Sequence, residues 1–403
     1  MRAQGKDVNN KPVVAHSVIE YLPFGENWIY TQVAGLKRYR PVVMTKRSRN
    51  LDYFSLAAVD GEVVEAYDAP WQQLYEKLAK KFIYKQYPAY FRAFERTLPV
   101  ILHSHFAQHA YDDLSLRRCF QVPHVVSCYG ADLWKFAEIP AQRRRYRLVF
   151  GEADMFLVEG NAMRQRAIDL GCKPEKVRVH HLGIDLQRIR YVARTPPTDG
   201  IVRCLMAGRA IEKKGLLYGL KAFANVAIKH NNVHLTIMTW GEALYKRKII
   251  ADLKHFVATN SLSDRVTWYG LQPYHEYLRI TEASHIFMVP SVLAANGDAE
   301  GGCPVTAMEL SAAGMPIVGF AHCDIPEVIQ NAVSGFLVPE REVGALSERL
   351  EQMVRQPQTW ESMGQAGRNH ITKHYNAAIQ VKGLEDIYDE LTSRGQRRVV
   401  HNA

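Results

Sequence analysis

Two glutamates and two cations stand where their chemistry would matter. The stretch Ala299-Glu300-Gly301-Gly302-Cys303-Pro304-Val305-Thr306-Ala307-Met308-Glu309 sets a carboxylate and two glycines in a loop. The loop follows the apolar run Ile286 to Val289, which ends at Pro290-Ser291. Pro304 suits the first position of a helix, where its missing N–H costs nothing. Gly314 suits the helix end, ahead of the next apolar run, Pro316–Phe320. A strand–loop–helix–strand unit of this kind turns free N–H groups and the positive end of a helix dipole toward a ligand, which is chemistry that binds phosphate. Glu309 falls about one and a half turns into the helix, where its carboxylate can accept hydrogen bonds from a ligand's hydroxyls.

A second loop of related character lies earlier in the same half, Gly208-Arg209-Ala210-Ile211-Glu212-Lys213-Lys214-Gly215. Gly208 is expected to make a tight turn at a strand end, and Leu216 to begin a helix whose N-terminus faces the ligand. Arg209 and Lys214 can both reach an anion there. A guanidinium grips a diphosphate bidentately, while an ammonium acts as a point charge. An anion together with hydroxyls describes a nucleotide sugar. The bland alternative is a solvated loop carboxylate, an ordinary helical glutamate and a basic turn. A paired-carboxylate glycosidase is another, although a hydrolase of plain glycans has no diphosphate to hold.

These residues need elements to position them, and the apolar runs supply the outline. Pro12–Ser17, Tyr39–Thr45, Val100–His103, His124–Ser127, Met155–Val158 and Val177–His181 read as strands in the first half. Val202–Ala207, His234–Thr239, Val266–Tyr269, Ile286–Val289 and Pro316–Phe320 read as strands in the second, alternating with helical stretches such as Leu216–Ala227 and Glu242–Thr259. Pro196-Pro197 and Asp199-Gly200 interrupt the pattern. The expectation is an α/β protein with two Rossmann-like, doubly wound domains facing across a cleft, with ligands at the carboxyl ends of the strands. Residues 1–192 would form the basic first domain, 193–200 a linker and 201–375 the second domain. Residues 376–403 would form a C-terminal helix that packs back toward the first domain.

Charge divides along the same line. Residues 1–195 hold 30 Lys+Arg against 20 Asp+Glu, and residues 196–403 hold 21 of each, so the whole excess of +10 sits in the first half. That half is expected to meet an anionic surface or acceptor. Trp71–Leu98 carries six Lys/Arg and two acids, interleaved with aromatic residues, and suits a helix at an anionic membrane surface. The bland alternative is aromatics packed in the core. Arg143-Arg144-Arg145-Tyr146-Arg147 either extends that patch or is a solvated face. No run approaches the ~18 apolar residues of a membrane span, and no signal-peptide core follows Met1. The six scattered cysteines have neither disulfide-framework nor zinc spacing, and read as reduced cytosolic thiols.

Taken in order, several motifs resemble those of the retaining glycosyltransferases of family four, which have the GT-B fold. They are Gly208-Arg209…Glu212-Lys213-Lys214-Gly215-Leu216, Val289-Pro290-Ser291, Glu300-Gly301…Glu309…Gly314-Met315-Pro316-Ile317-Val318, and Ile325-Pro326-Glu327…Asn331…Gly335-Phe336-Leu337-Val338. The first half adds Leu102-His103-Ser104-His105-Phe106, Tyr129-Gly130-Ala131-Asp132-Leu133, and Gly171…Lys176-Val177…Leu182-Gly183-Ile184-Asp185. The chain looks most like the bacterial branch that builds exopolysaccharide and lipopolysaccharide. The resemblance implies that Arg209 and Lys214 hold the donor diphosphate and that Glu309 binds the ribose. Glu300 would face the transferred sugar, with Gly208, Ser291, Gly301, Gly302, Cys303 and Pro304 lining the donor. It implies transfer from a nucleotide-diphosphate sugar to a saccharide or lipid-linked acceptor, with retained anomeric configuration and no metal or cofactor. The departing diphosphate would take the acceptor's proton.

The chain departs from that family in two places. Eight residues separate Glu300 from Glu309 where seven are usual, so an extra glycine is expected to bulge the loop. Tyr129 stands where many members have a histidine that contacts the sugar. A phenol donates a similar hydrogen bond but does not become cationic near neutral pH. His105 is therefore the substitute to consider. His103 and His105 are expected on opposite faces of their strand, one packed and one toward the ligand, and not as a metal pair. Glu26, in the loop after the first strand, matches an acceptor-binding loop or caps a helix. Glu327 approaches the donor or caps a helix, and Asp185 reads as a turn residue. The competing functions are a nucleotide-sugar epimerase or phosphorylase on the same fold, and a non-catalytic binder of nucleic acid or membrane suggested by a pI near 9.2.

Overall fold

The structure is a computed structural model that describes residues 11–23, 27–67 and 69–401. Glu26 lies outside the described residues. The chain divides into two compact units, Met1–Gly183 with Ala377–Ala403, and Ile184–Asn376.

The first unit holds seven parallel strands: β1 (Val13–Tyr21), β2 (Arg40–Ser48), β3 (Glu62–Glu65), β4 (Ile101–His105), β5 (His124–Ser127), β6 (Met155–Val158) and β7 (Val177–Val179). Their order is β3-β2-β1-β4-β5-β6-β7. β4, β5 and β6 are buried along their whole length, as strands of a sheet covered on both faces are, although β4 and β5 carry His103, Ser104, His105, His124 and Ser127 inside. The last helix, Ala377–His401, belongs to this unit. Val381, Leu384, Ile387, Tyr388 and Leu391 recur at helical spacing and close the core over Val14, Ile101, Val125 and Leu157.

The second unit holds six parallel strands: β8 (Val202–Arg209), β9 (Val233–Trp240), β10 (Val266–Tyr269), β11 (Ile286–Val289), β12 (Ile317–Phe320) and β13 (Gly335–Val338), in the order β10-β9-β8-β11-β12-β13. On one face Val202, Cys204 and Met206 alternate with period two. They meet Leu216, Leu220 and Phe223 of the helix Leu216–Lys229, and Leu346, Leu350 and Met353 of the helix Val343–Arg355. Full burial of each such side chain contributes about 1.5–3 kcal/mol relative to exposure.

Two sequence expectations need correction, and two strands join those the sequence outlined. The 193–200 segment is part of the second unit, because the chain just before β8 is tied down there. Val192 N–H donates to Ala313 O at 3.0 Å, Arg194 Nη1 to Glu282 O at 2.9 Å, and Arg368 Nη1 to Ile189 O at 3.1 Å. The division between units falls at Gly183/Ile184 and Asn376/Ala377. Trp71–Leu98 is not one helix but a helix Pro70–Ala79, a π-helical turn Lys80–Tyr84 and a helix Pro88–Thr97. Pro88, which has no N–H to continue a helix, suits the first turn of the next one. Finally, β3 and β13 complete the two sheets. β3 is the four-residue edge Glu-Val-Val-Glu, whose Glu62 takes both Arg96 Nη1 and Nη2, at 3.0 and 2.8 Å.

Candidate active site

In each sheet the first strand lies at the centre, with the second and third on one side and the fourth onward on the other. Chain direction therefore switches between β8 and β11, which are neighbours, and the loops beyond their carboxyl ends diverge to leave a binding crevice. Arg209 ends β8, and Pro290-Ser291 follows β11. The sequence motifs meet at this switch point.

The approach of the two loops depends on Gly215. It adopts φ +61°, and a Cβ there would come within 1.6 Å of Pro290 O, so only glycine lets the turn Glu212–Lys214 lie against the end of β11. Gly208 acts differently from the expected tight turn. It stays within β8, and its bare Cα leaves room for the Lys214 stem, whose Cδ would sit 3.3 Å from an added Cβ.

The turn sends its two lysines to different partners. Lys213, buried, donates from Nζ to Ala299 O at 2.8 Å and to Asp298 Oδ1 at 3.2 Å, which holds the approach to Glu300. Lys214 Nζ lies 2.9 Å from Glu300 Oε1 and 3.1 Å from Oε2. Ser291 Oγ donates to Glu300 Oε1 at 2.8 Å. Behind the carboxylate, Glu300 N–H donates to His322 Nε2 at 3.2 Å, which places that ring's hydrogen on Nδ1, 2.8 Å from Glu340 Oε2. Arg209 is exposed, and its side chain makes no hydrogen bond or ion pair among the described residues.

Electrostatics follow from this packing. Burial opposes the charge on Glu300, but Lys214, Lys213 and the Ser291 hydroxyl outweigh it and hold the carboxyl down at about 2. Burial, with Lys213 and Arg209 nearby, lowers Lys214, and Glu300 opposes that shift. Glu309 is pushed up to about 7 by burial, partly offset by Tyr277. The Tyr277 hydroxyl is buried beside it.

The glycine loop carries the extra residue as a bend. Gly301 takes φ +77°, and its carbonyl accepts Asp324 N–H at 3.1 Å. Gly302 and Cys303 are buried beside it. Pro304 is the cap rather than the first helical residue of Val305–Ala312, and its carbonyl accepts Ala307 N–H at 2.8 Å. The amides of the first helical turn have no acceptor within the helix, as at any helix start. Asp185 is a turn residue, with Oδ1 accepting Gln187 N–H at 3.1 Å and Oδ2 facing Arg188. Glu327 lies in the first turn of the short helix Ile325–Val328.

In the first unit, His105 does not reach toward a ligand. It is wholly buried, and its ring stacks on that of His103 with centroids 4.4 Å apart. Residues two apart on a strand share a face, so the expected opposition was a misreading of strand parity. His16, which pairs with His103 across β1 and β4, joins the cluster. His105 Nδ1 is 2.6 Å from the Tyr129 hydroxyl, His105 Nε2 is 3.1 Å from His16 Nδ1, and His103 bridges Tyr388 at 2.6 Å and Ser127 at 2.8 Å. Burial lowers all three, His16 to about 3. Of these ring nitrogens, His16 Nε2 alone has no partner among the described residues. A buried bare nitrogen costs less than a buried unbonded N–H, so His16 Nδ1–H donates to His105 Nε2, and His105 Nδ1–H donates to Tyr129. The phenol keeps its own hydrogen to donate elsewhere. Three ring nitrogens, one per histidine, lie within 4.8 Å of one another, but both nitrogens of His103 and His105 are already engaged.

The residues that sequence reasoning passed over are Lys213, His322, Tyr277 and His16. Lys213 stood in view beside Lys214, and a three-residue turn that separates adjacent side chains is a signal available from the motif. Nothing in the sequence marked the other three.

A family model described as "Glycosyl transferases group 1" matches residues 193–370, and one described as "Glycosyltransferase Family 4" matches residues 32–188. The amylovoran biosynthesis glycosyltransferase AmsK of Erwinia amylovora is 28% identical over 291 residues, 72% of this chain and 70% of that protein. The putative colanic acid biosynthesis glycosyltransferase WcaL of Escherichia coli is 32% identical over 223 residues, 55% of this chain and 53% of that protein, so the chain spans about half the length of that relative. Among solved structures, a sucrose-phosphate synthase of Thermosynechococcus elongatus superposes with TM-score 0.75 at 16% identity over 95% of this chain and all of that one. HepE of Anabaena, in complex with UDP-glucose, does so with TM-score 0.75 at 14% identity over 94% of this chain and all of that one. With a group 1 match over the second unit, a family four match over most of the first and GT-B enzymes as structural neighbours, the chain belongs to the GT-B glycosyltransferases of family four.

Proposed function

We propose that this protein is a retaining, metal-independent glycosyltransferase that moves a sugar from a nucleotide-diphosphate sugar to a saccharide or lipid-linked acceptor in surface polysaccharide synthesis. One observation carries the reading: Arg209, Lys214 and Glu300 converge at the switch point between β8 and β11, with Arg209 free of any protein partner among the described residues. Relatives whose names place them in amylovoran and colanic acid biosynthesis support the polysaccharide setting.

The chemistry this arrangement suits is stabilisation of a leaving diphosphate. Arg209 offers a planar fork to two phosphate oxygens and Lys214 a point charge. Lys214 is already held by Glu300, so a diphosphate competes for the ammonium and frees the Glu300 carboxylate to accept a sugar hydroxyl. Gly301, Gly302 and Cys303, with the helix start after Pro304, add amide dipoles. Glu309, once ionised, accepts the ribose hydroxyls. Positioning and preorganised charge then supply the acceleration. The acceptor hydroxyl loses its proton to the departing diphosphate, and no protein base or metal is assigned.

In the first unit Tyr129 is assigned to the sugar or acceptor, with His105 behind it, and Glu26 to the acceptor. The enzyme is placed in the cytoplasm at the inner face of the membrane, and the anionic partner of its basic half is a membrane rather than nucleic acid. Among the described residues no helix is long and apolar enough to cross a membrane.

The test is binding of UDP, GDP and ADP sugars in chelator, followed by transfer to a saccharide acceptor with NMR assignment of the product anomer. Metal-free transfer with retention supports the proposal. Inversion, or loss of activity in chelator restored by a divalent ion, overturns it. Interconversion of the donor without acceptor would assign an epimerase instead.

A further inference from the structure

The first unit exposes an apolar face that transfer chemistry does not use. In the helix Pro70–Ala79, Trp71, Leu74, Tyr75 and Leu78 recur at spacings of three and four, so they share one face. The π-helical turn Lys80–Tyr84 extends it with Phe82 and Ile83, and Lys85 ends it in the left-handed region. Such a stripe ordinarily faces the core, as Tyr90 and Phe94 of the following helix do. Here Trp71 is 74% exposed, Leu74 64%, Phe82 65% and Ile83 70%. A contiguous apolar face open to water marks a binding surface.

Charge identifies what it binds. Residues 70–85 contain four lysines and one acid, Glu76. Glu76 is buried and occupied, accepting Ala89 N–H at 3.1 Å and Arg92 Nη2 at 2.7 Å. Lys80 is held by Asp112 at 2.7 Å. Lys77, Lys81 and Lys85 are exposed, with no ion-pair partner among the described residues. The helix Ala107–Phe120 that supplies Asp112 also supplies Tyr111, over whose ring the Arg145 guanidinium lies at 5.0 Å. Arg143, Arg144, Arg145 and Arg147 are all exposed. One helix thus links the apolar face to a second cationic one. A folded protein partner would call for particular pairings. A lipid surface asks only for apolar depth and diffuse positive charge.

We propose that Trp71, Leu74, Tyr75, Leu78, Phe82 and Ile83, ringed by Lys77, Lys81 and Lys85, form the surface by which this protein docks on an anionic phospholipid bilayer. The apolar side chains enter the boundary between headgroups and acyl chains, and the lysines lie among the lipid phosphates. This deepens the membrane placement proposed above and rests on that placement, not on the transfer reaction.

The test is sedimentation of the full chain with phosphatidylglycerol-containing vesicles and with phosphatidylcholine vesicles, alongside nucleotide binding and transfer to a water-soluble acceptor. Wild type should follow the anionic vesicles, and less so as salt is raised. A Lys77→Gln/Lys81→Gln/Lys85→Gln variant should partition about 100-fold more weakly, at roughly five-fold per lysine. Phe82→Ser/Ile83→Ser should lose vesicle binding with nucleotide binding and soluble transfer unchanged. Failure of wild type to sediment with anionic vesicles overturns the proposal, as does unchanged binding in both variants. A dimer that dissociates in Phe82→Ser/Ile83→Ser, without vesicle binding, assigns the face to a second copy and also overturns it. Vesicle binding without nucleotide binding would count against the transfer reading and leave this one standing.

Discussion

Lys214 Nζ sits 2.9 Å from Glu300 Oε1 inside the second unit, while Arg209 nearby stands exposed and unpaired among the described residues. The two cations proposed to hold the donor therefore have different structural roles, and their mutants should separate. Arg209→Ala should lower turnover by roughly 10²-fold or more while leaving stability within about 0.5 kcal/mol of wild type. Turnover near wild type would remove Arg209 from the donor site.

Lys214→Ala should lose a similar factor and also destabilise the unit. Removing one partner of a buried ion pair costs about 3–5 kcal/mol, with the lower end expected because Lys213 Nζ lies 4.0 Å from Glu300. Adding Glu300→Gln should restore part of the stability and none of the activity. Denaturant melts of the single and double variants check this. Equal stability in both would mean that the pair contributes little.

The pH dependence of donor binding should be set by Glu309. Its carboxyl, raised by burial to about 7, is protonated in the unliganded protein at mildly acid pH, and in the ribose-binding role proposed for it the ionised form is the stronger acceptor. Nucleotide affinity should rise with pH up to about 7, approaching tenfold per unit below it, and level off above. Stability of the unliganded protein runs the other way. A raised folded pKa means that the native state holds the extra proton, so this contribution is lost as pH rises from 4.5 through 7. Glu309→Gln should flatten both profiles. Calorimetric titration between pH 5.5 and 8 measures the first, and a binding profile that stays steep in Glu309→Gln rules out the assignment.

Gly215→Ala tests whether the two loops must touch. A methyl would meet Pro290 O at 1.6 Å on a residue whose φ is +61°, so the turn carrying Lys213 and Lys214 must move. A stability loss above about 2 kcal/mol, with turnover falling as far as in Lys214→Ala, is the expected outcome. A variant with wild-type melting and turnover would show that the loops are not held together at this point.

Particular residues show how far the site could be read before the structure. β6 and β11 were visible as uninterrupted apolar runs, because strands covered on both faces leave no alternation to confuse. β3 was not, since Glu62 and Glu65 bracket two valines at a sheet edge. Arg209, Lys214, Glu300 and Glu309 declared themselves through spacing around glycine and proline. Lys213 did not, because which of two adjacent lysines turns inward is decided by one turn of backbone. Trp71–Leu98 looked uniform as composition, yet its first part is exposed and its last part is core, a split that depends on the π-helical turn. His105 was misplaced by strand parity, and Tyr277 and His322 enter through tertiary contacts with no local pattern.

The tautomer chain behind Tyr129 makes the last prediction. His105 Nδ1–H donates to the phenol oxygen at 2.6 Å and His16 Nδ1–H donates to His105 Nε2, because the reverse arrangement would bury an unbonded N–H at His16 Nε2. Tyr129→Phe removes the acceptor and should cost about 1–3 kcal/mol, as expected when a buried donor loses its partner. If Tyr129 contacts the sugar or acceptor as proposed, the substitution should also reduce kcat/KM for transfer. Nitrogen NMR of the histidine rings is the direct check: His16 and His105 should both carry hydrogen on Nδ1 across the neutral range, neither titrating, because burial holds both well below their ordinary value. A hydrogen found on His105 Nε2 would reverse the chain. Tyr129 would then spend its own hydrogen inward on His105, and its O–H could not serve a ligand.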